Sequence, residues 1–230
     1  MSRIFAALAL FAIILLAATM LLGLPVDLND KISHLRDLNA QMGGLTDTAP
    51  NAESRAEEKE RIREEIEQGR RGFAAEQILS SVHKLVGIAA ALIVVLVCSI
   101  AVTYFVGTSR WCREVVEAYE LNGSLLLRIQ KLKRRAFPWA VLGMCTVVVI
   151  SAFGAASDPG TGLPKTADWV MPHLGVAFLG TALIGYCFYI LWDAIVQNHT
   201  IIESVMHEVR DVRAAKGLET ESDTHASLPS

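Results

Sequence analysis

Four stretches of this chain, residues 4–24, 85–106, 137–156 and 170–192, contain no Asp, Glu, Lys or Arg, and that limits the fold more than any other feature. A helix rises about 1.5 Å per residue, so about 20 apolar residues cross a hydrocarbon core of roughly 30 Å. Lipid offers the backbone no hydrogen-bond partner, so each stretch is predicted to be helical. Hydrophobic residues make up 52% of the chain, only modestly above a soluble domain. The segregation of charge from apolar sequence therefore carries the argument, rather than the amount of either. The expected fold is all-α: a polytopic membrane protein with a four-helix transmembrane bundle and an extramembrane helical hairpin.

The tryptophans support these boundaries. Trp111, Trp139, Trp169 and Trp192 all fall at or near span ends, where an apolar ring with one N–H donor settles among headgroups. The first apolar run is longer than the roughly 7–15 residues of a secretory signal core, and no small-residue cleavage motif follows it. Residues 1–24 are therefore expected to be an uncleaved anchor.

The segments between spans differ in charge. The loop over residues 107–136 carries Arg110, Arg113, Arg128, Lys131, Lys133, Arg134 and Arg135, whereas the short loop over residues 157–169 carries only Lys165. The positive-inside rule then puts residues 107–136 and both termini in the cytoplasm, and a bacterial inner membrane is the expected setting. Residues 25–84 fall outside, where length and interleaved acids weaken the rule. The cluster Lys131–Arg135 belongs at the headgroups, where it would attract anionic lipid.

Residues 25–84 read as a helical hairpin. Leu28, Ile32, Leu35, Leu38 and Met42 recur at helical spacing, Gly43 and Gly44 can end that helix, and a second, charge-dense helix is expected from about Asn51. Glu57 with Arg61 and Glu67 with Arg71 are spaced for ion pairs. Gly69 and Gly72 are expected to interrupt this helix before the second span. In the 107–136 loop, Trp111, Val115 and Tyr119 form one apolar stripe, Asn122-Gly123 marks a turn, and Leu125, Ile129 and Leu132 form another. Residues 193–216 continue the last span as an amphipathic helix. Its a/d seam of coiled-coil type, Ile195, Asn198, Ile202, Val205, Val209 and Val212, should pack against the loop helices or a second chain. Residues 217–230 read as a disordered tail.

Motifs for chemistry are sparse. The net charge of -3 does not favour nucleic acid. No phosphate loop, nucleophile elbow, HExxH or Cys/His zinc spacing is present, and Cys98, Cys112, Cys145 and Cys187 read as packing residues or free thiols. The spans hold no charged group that would serve coupled transport. His83 and His173 stand near the starts of the second and fourth spans, on the same side of the membrane. Two imidazoles on facing helices can ligate haem iron from both sides, and Gly87 and Gly175 would leave room for the macrocycle. The five residues His83-Lys84-Leu85-Val86-Gly87 resemble the opening of a haem-ligating helix in some b-type membrane cytochromes, a resemblance that implies haem b with His83 and His173 as axial ligands. The bland alternative is two interfacial histidines beside packing glycines. The leading functional expectation is a non-enzymatic scaffold or accessory subunit whose extramembrane helices bind a protein partner. A haem electron-transfer subunit and a signalling receptor follow in that order.

Overall fold

The computed structural model describes residues 1–23, 29–44, 52–161 and 165–218. They form five helices: α1 (Ser2–Gly23), α2 (Asn29–Gly44), α3 (Ala52–Tyr119), α4 (Ser124–Ser157) and α5 (Val170–Ala215). Two short 3-10 turns lie between α4 and α5. All four of α1, α3, α4 and α5 contain windows long and apolar enough to cross a membrane, and no strand forms among the described residues. Leu85, Ile88, Leu92 and Leu96 share one face of α3 and are exposed. An apolar strip of that kind would be a liability in water and is ordinary against lipid. The expected tail over residues 219–230, the bend over 45–51, and Leu28 of the α2 stripe lie outside the described residues.

The contacts divide the chain into two units. The first is built from Met1–Ala12, Ile93–Val147 and the chain from Ala182 onward. Its core is drawn from all four long helices. Phe5, Ala9 and Ala12 of α1 are buried, as are Val94, Val97, Cys98, Ala101 and Phe105 of α3. On α4 the buried positions are Leu125, Ile129, Leu132, Ala136, Ala140, Gly143 and Val147, alternating steps of three and four as one face of a helix requires. Phe5 meets Phe188 edge to face, with ring centroids 6.3 Å apart. At Gly143 an added Cβ would lie 3.1 Å from Cys98 Sγ and 3.7 Å from Cys187 Cβ. The missing side chain lets α4 come close to α3 and α5, the small-residue contact by which membrane helices pack. All four cysteines are free, three buried and Cys145 exposed.

The helices run on past their apolar windows and keep their buried face. On α3 the buried line passes from Phe105 to Cys112 and Val116, so the stripe expected at Trp111, Val115 and Tyr119 is rotated by one residue, leaving Trp111 exposed. On α5 Asn198, Ile201, Val205 and Val209 are buried, and Ile201 takes the place expected for Ile202. Asn198 Nδ2 donates to Thr108 Oγ1 at 3.1 Å, which ties α5 to α3 within this unit. The seam is thus covered by the chain's own helices. Arg135 of α4 pairs with Asp193 of α5 at 3.5 Å.

The second unit comprises Ile13–Leu92 and Val148–Thr181 and contains the hairpin. Leu38 of α2 is buried with Ile62 and Ile66 of α3, and Leu35 and Met42 pack against them. Leu35 lies over Gly69, and His34 approaches Glu65 at 4.0 Å, so α2 and the start of α3 run antiparallel. Gly69 and Gly72 do not interrupt α3, which is continuous over 68 residues. Glycine in a helix costs about 1 kcal/mol without forbidding it, and at Gly69 an added Cβ would sit 2.9 Å from Leu35 Cδ2. Close packing explains that glycine better than a break does. Arg61 pairs with Glu58, three residues away, at 3.3 Å rather than with Glu57.

Gly143 and Gly107 separate packing from helix propensity. Gly143→Val should lower the melting temperature of the detergent-solubilised protein, by a loss of roughly 1–3 kcal/mol typical of overpacking, with Gly143→Ala milder. Nothing lies within 4 Å of where a Cβ on Gly107 would sit, so Gly107→Ala should be neutral or slightly stabilising. Equal effects at both positions would contradict the close contact.

Candidate functional site

The second unit contains both His83 and His173. Both stand near the start of an apolar window, on α3 and α5. His83 Nδ1 lies 2.9 Å from the carbonyl oxygen of Thr19 on α1. A carbonyl only accepts, so Nδ1 carries the proton and donates, and Nε2 is left as a bare acceptor. Thr19 lies one turn before Gly23, and its own hydroxyl donates to Leu15 O at 2.8 Å. The His83 ring lies against Gly23, where a Cβ would meet Cε1 at 2.8 Å and Nδ1 at 3.1 Å. Any side chain at Gly23 would displace the ring.

His173 is held in the same manner from another direction. A Cβ on Gly154 of α4 would lie 3.2 Å from His173 Cε1. Its Nδ1 is buried without a hydrogen-bond partner, a condition that ordinarily costs about 1–3 kcal/mol. Beside His83 in the chain, Lys84 Nζ reaches Asp158 at 2.8 Å, and Asp158 also accepts from the backbone N–H of Gly160 at 2.9 Å. That ion pair ties the start of the α3 window to the turn after α4, and it satisfies the charge next to His83.

Comparison with family models, with curated proteins and with solved structures finds no match. The site is therefore argued from its own geometry.

As a donor set, the unit offers two imidazoles. His83 has the arrangement typical of a histidine ligand, one nitrogen fixed on a backbone carbonyl and the other free. The described residues contain no cluster of three or more His, Cys, Asp or Glu suited to a metal ion alone. The glycines expected to make room for a macrocycle divide. Gly175 has nothing within 4 Å of a Cβ position, whereas at Gly87 a Cβ would meet Thr19 Cγ2 at 3.4 Å. Gly87 serves close packing of α3 on α1, so a flat group between the histidines would require that contact to open.

Thr19, Gly23 and Gly154 were not legible as site residues. A backbone carbonyl leaves no trace in sequence, and a glycine is informative only once its neighbour is known. Gly23→Ala should force the His83 ring from its seat, break the bond to Thr19, and raise the rate at which His83 reacts with diethylpyrocarbonate. Gly175→Ala should leave that rate unchanged; if both variants behave alike, the close approach at Gly23 does not hold His83.

Proposed function

We propose that this chain is a non-enzymatic membrane subunit, a scaffold or accessory component whose extramembrane helices engage a protein partner. The observation that carries the reading is the hairpin. Its apolar stripe is consumed internally by Leu35, Leu38, Met42, Ile62 and Ile66, while Glu57, Glu60, Arg61, Arg63, Glu64 and Glu67 are exposed. A surface of that composition selects partners by charge complementarity more than by apolar burial. The absence of Asp, Glu, Lys and Arg from the four apolar windows supports the same reading, because coupled transport and proton relays need such groups at depth. The setting that fits is a bacterial inner membrane with both termini in the cytoplasm, which the basic residues between the second and third apolar windows support.

The test is the native mass of the protein extracted from its own membrane in mild detergent. A stoichiometric hetero-assembly is expected, and it should dissociate when Arg61 and Arg63 are both replaced by Glu. A monomer with nothing bound at stoichiometric level would refute the proposal.

A second reading is a b-type haem electron-transfer subunit with His83 and His173 as axial ligands. The place of both histidines in one unit, near the starts of two apolar windows, favours it. When bound, haem would supply one-electron redox chemistry. The purified protein, expressed with ample haem, would then show a Soret band that shifts with dithionite and disappears in both His83→Ala and His173→Ala. A featureless visible spectrum sinks this reading and leaves the first untouched.

A further inference from the structure

The first unit contains a groove of about 650 Å³ at the corner where α3 and α4 leave their apolar windows. Its lining divides by chemistry along its length. Val106, Phe137 and Pro138 belong to the apolar windows, whereas Arg113, Lys133 and Arg134 lie beyond them together with the apolar Leu126 and Ile129. Seven residues of helix separate Val106 from Arg113, about 10 Å at a helical rise. The boundary between hydrocarbon and headgroups therefore passes through the groove itself.

The charges of the groove are uncompensated. Outside it, Arg110 pairs with Glu114 at 3.0 Å and Arg135 with Asp193 at 3.5 Å. Arg113, Lys133 and Arg134 pair with no carboxylate among the described residues, and no acid lines the groove. Ser109 lines it too, one turn before Arg113, and its Oγ is buried without a partner. A helical hydroxyl usually bonds back to the carbonyl four residues earlier, as Thr108 does to Tyr104 at 2.8 Å. Ser109 keeps its donor free beside three cations. The groove opens next to Pro138, whose ring cannot donate to the carbonyl of Arg134 and crowds it.

We propose that this groove is a binding site for one anionic phospholipid. Arg113, Lys133 and Arg134 take the phosphate, Ser109 donates to a headgroup or ester oxygen, and an acyl chain lies along Val106 and Phe137. At this depth the surrounding medium is lipid, and the uncompensated positive charge selects the anionic kind. A diffuse basic surface would attract such lipids without fixing one. Here three basic residues line a largely apolar channel, and a molecule with one anionic end and one apolar chain suits both.

The experiment is native mass spectrometry of the full chain in a non-denaturing detergent. The protein is titrated with phosphatidylglycerol and, separately, with phosphatidylcholine of the same acyl chains. One phosphatidylglycerol should be retained more tightly than phosphatidylcholine. Arg113→Gln, Lys133→Gln and Arg134→Gln should each weaken it by roughly fivefold, and Arg110→Gln should not. Leu126→Trp, which fills the groove without changing charge, should also expel the lipid, and it decides the matter if the charge variants do not fold. Glycerol 3-phosphate at millimolar concentration should fail to compete; full competition would show a soluble phosphate site and overturn the proposal. Equal retention of the two lipids, equal losses in Arg110→Gln and the groove variants, or undiminished binding in Leu126→Trp would overturn it as well.

Discussion

Every backbone N–H and C=O inside the hydrocarbon has to be satisfied by its own helix, and the rest of this structure follows from that requirement. It forbids a break within an apolar window, so each window is one uninterrupted helix. It also extends outward. Once a helix has a buried face in the membrane, continuing it fixes the phase of everything beyond. The line Val94, Cys98, Ala101, Phe105 runs on into Cys112 and Val116, and Ile184, Phe188, Leu191, Ile195 runs on into Asn198, Ile201 and Val205. A loop of independent helices could choose its own apolar face. A continued helix cannot, and Trp111 and Ile202 lose the buried places that their local sequence would give them.

Polar atoms inside such a bundle are tolerated only where a neighbour comes close enough to receive them. His83 reaches the Thr19 carbonyl because Gly23 leaves space for its ring. Asn198 is fully buried and donates to Thr108. Gly143 plays the corresponding part for packing, admitting Cys98 and Cys187. At Gly23 and Gly143 a missing side chain on one helix sets what the facing helix can carry. His173 Nδ1, Ser109 Oγ and Asn198 Oδ1 are exceptions, buried with no hydrogen-bond partner among the described residues.

The windows and the hairpin were legible because each depends on composition or on the period of one segment. Leu35, Leu38 and Met42 meet Ile62 and Ile66 as the spacing of the first three predicts. The errors arise where the answer depends on a distant residue. Gly69 looks like a helix breaker in isolation and is a packing site once Leu35 lies over it. The places of His83 and His173 at the starts of two windows could be read from the sequence. The hydrogen bond that orients His83 could not, since its acceptor is main chain. The basic cluster near Lys133 was readable as charge, but Arg113 joins it only through the packing of α3 on α4.

The placement of charge also confines where function can reside. A Lys, Arg or Asp at the centre of a bilayer costs about 2.5–3.5 kcal/mol on insertion scales, and this chain places none within its four apolar windows. Its polar chemistry is therefore displaced to the ends of the spans. The histidine pair, the Lys84–Asp158 bridge and the groove at Arg113 and Lys133 all stand there, and the charged hairpin stands beyond. At a span end, a long basic side chain can stay ionised while its stem covers apolar surface, so unpaired cations are tolerated there as they would not be at depth. Arg113, Lys133 and Arg134, which pair with no carboxylate among the described residues, stand where that tolerance applies. Deeper in the membrane the same residues would have needed partners within the fold, and a charge neutralised inside the protein selects nothing.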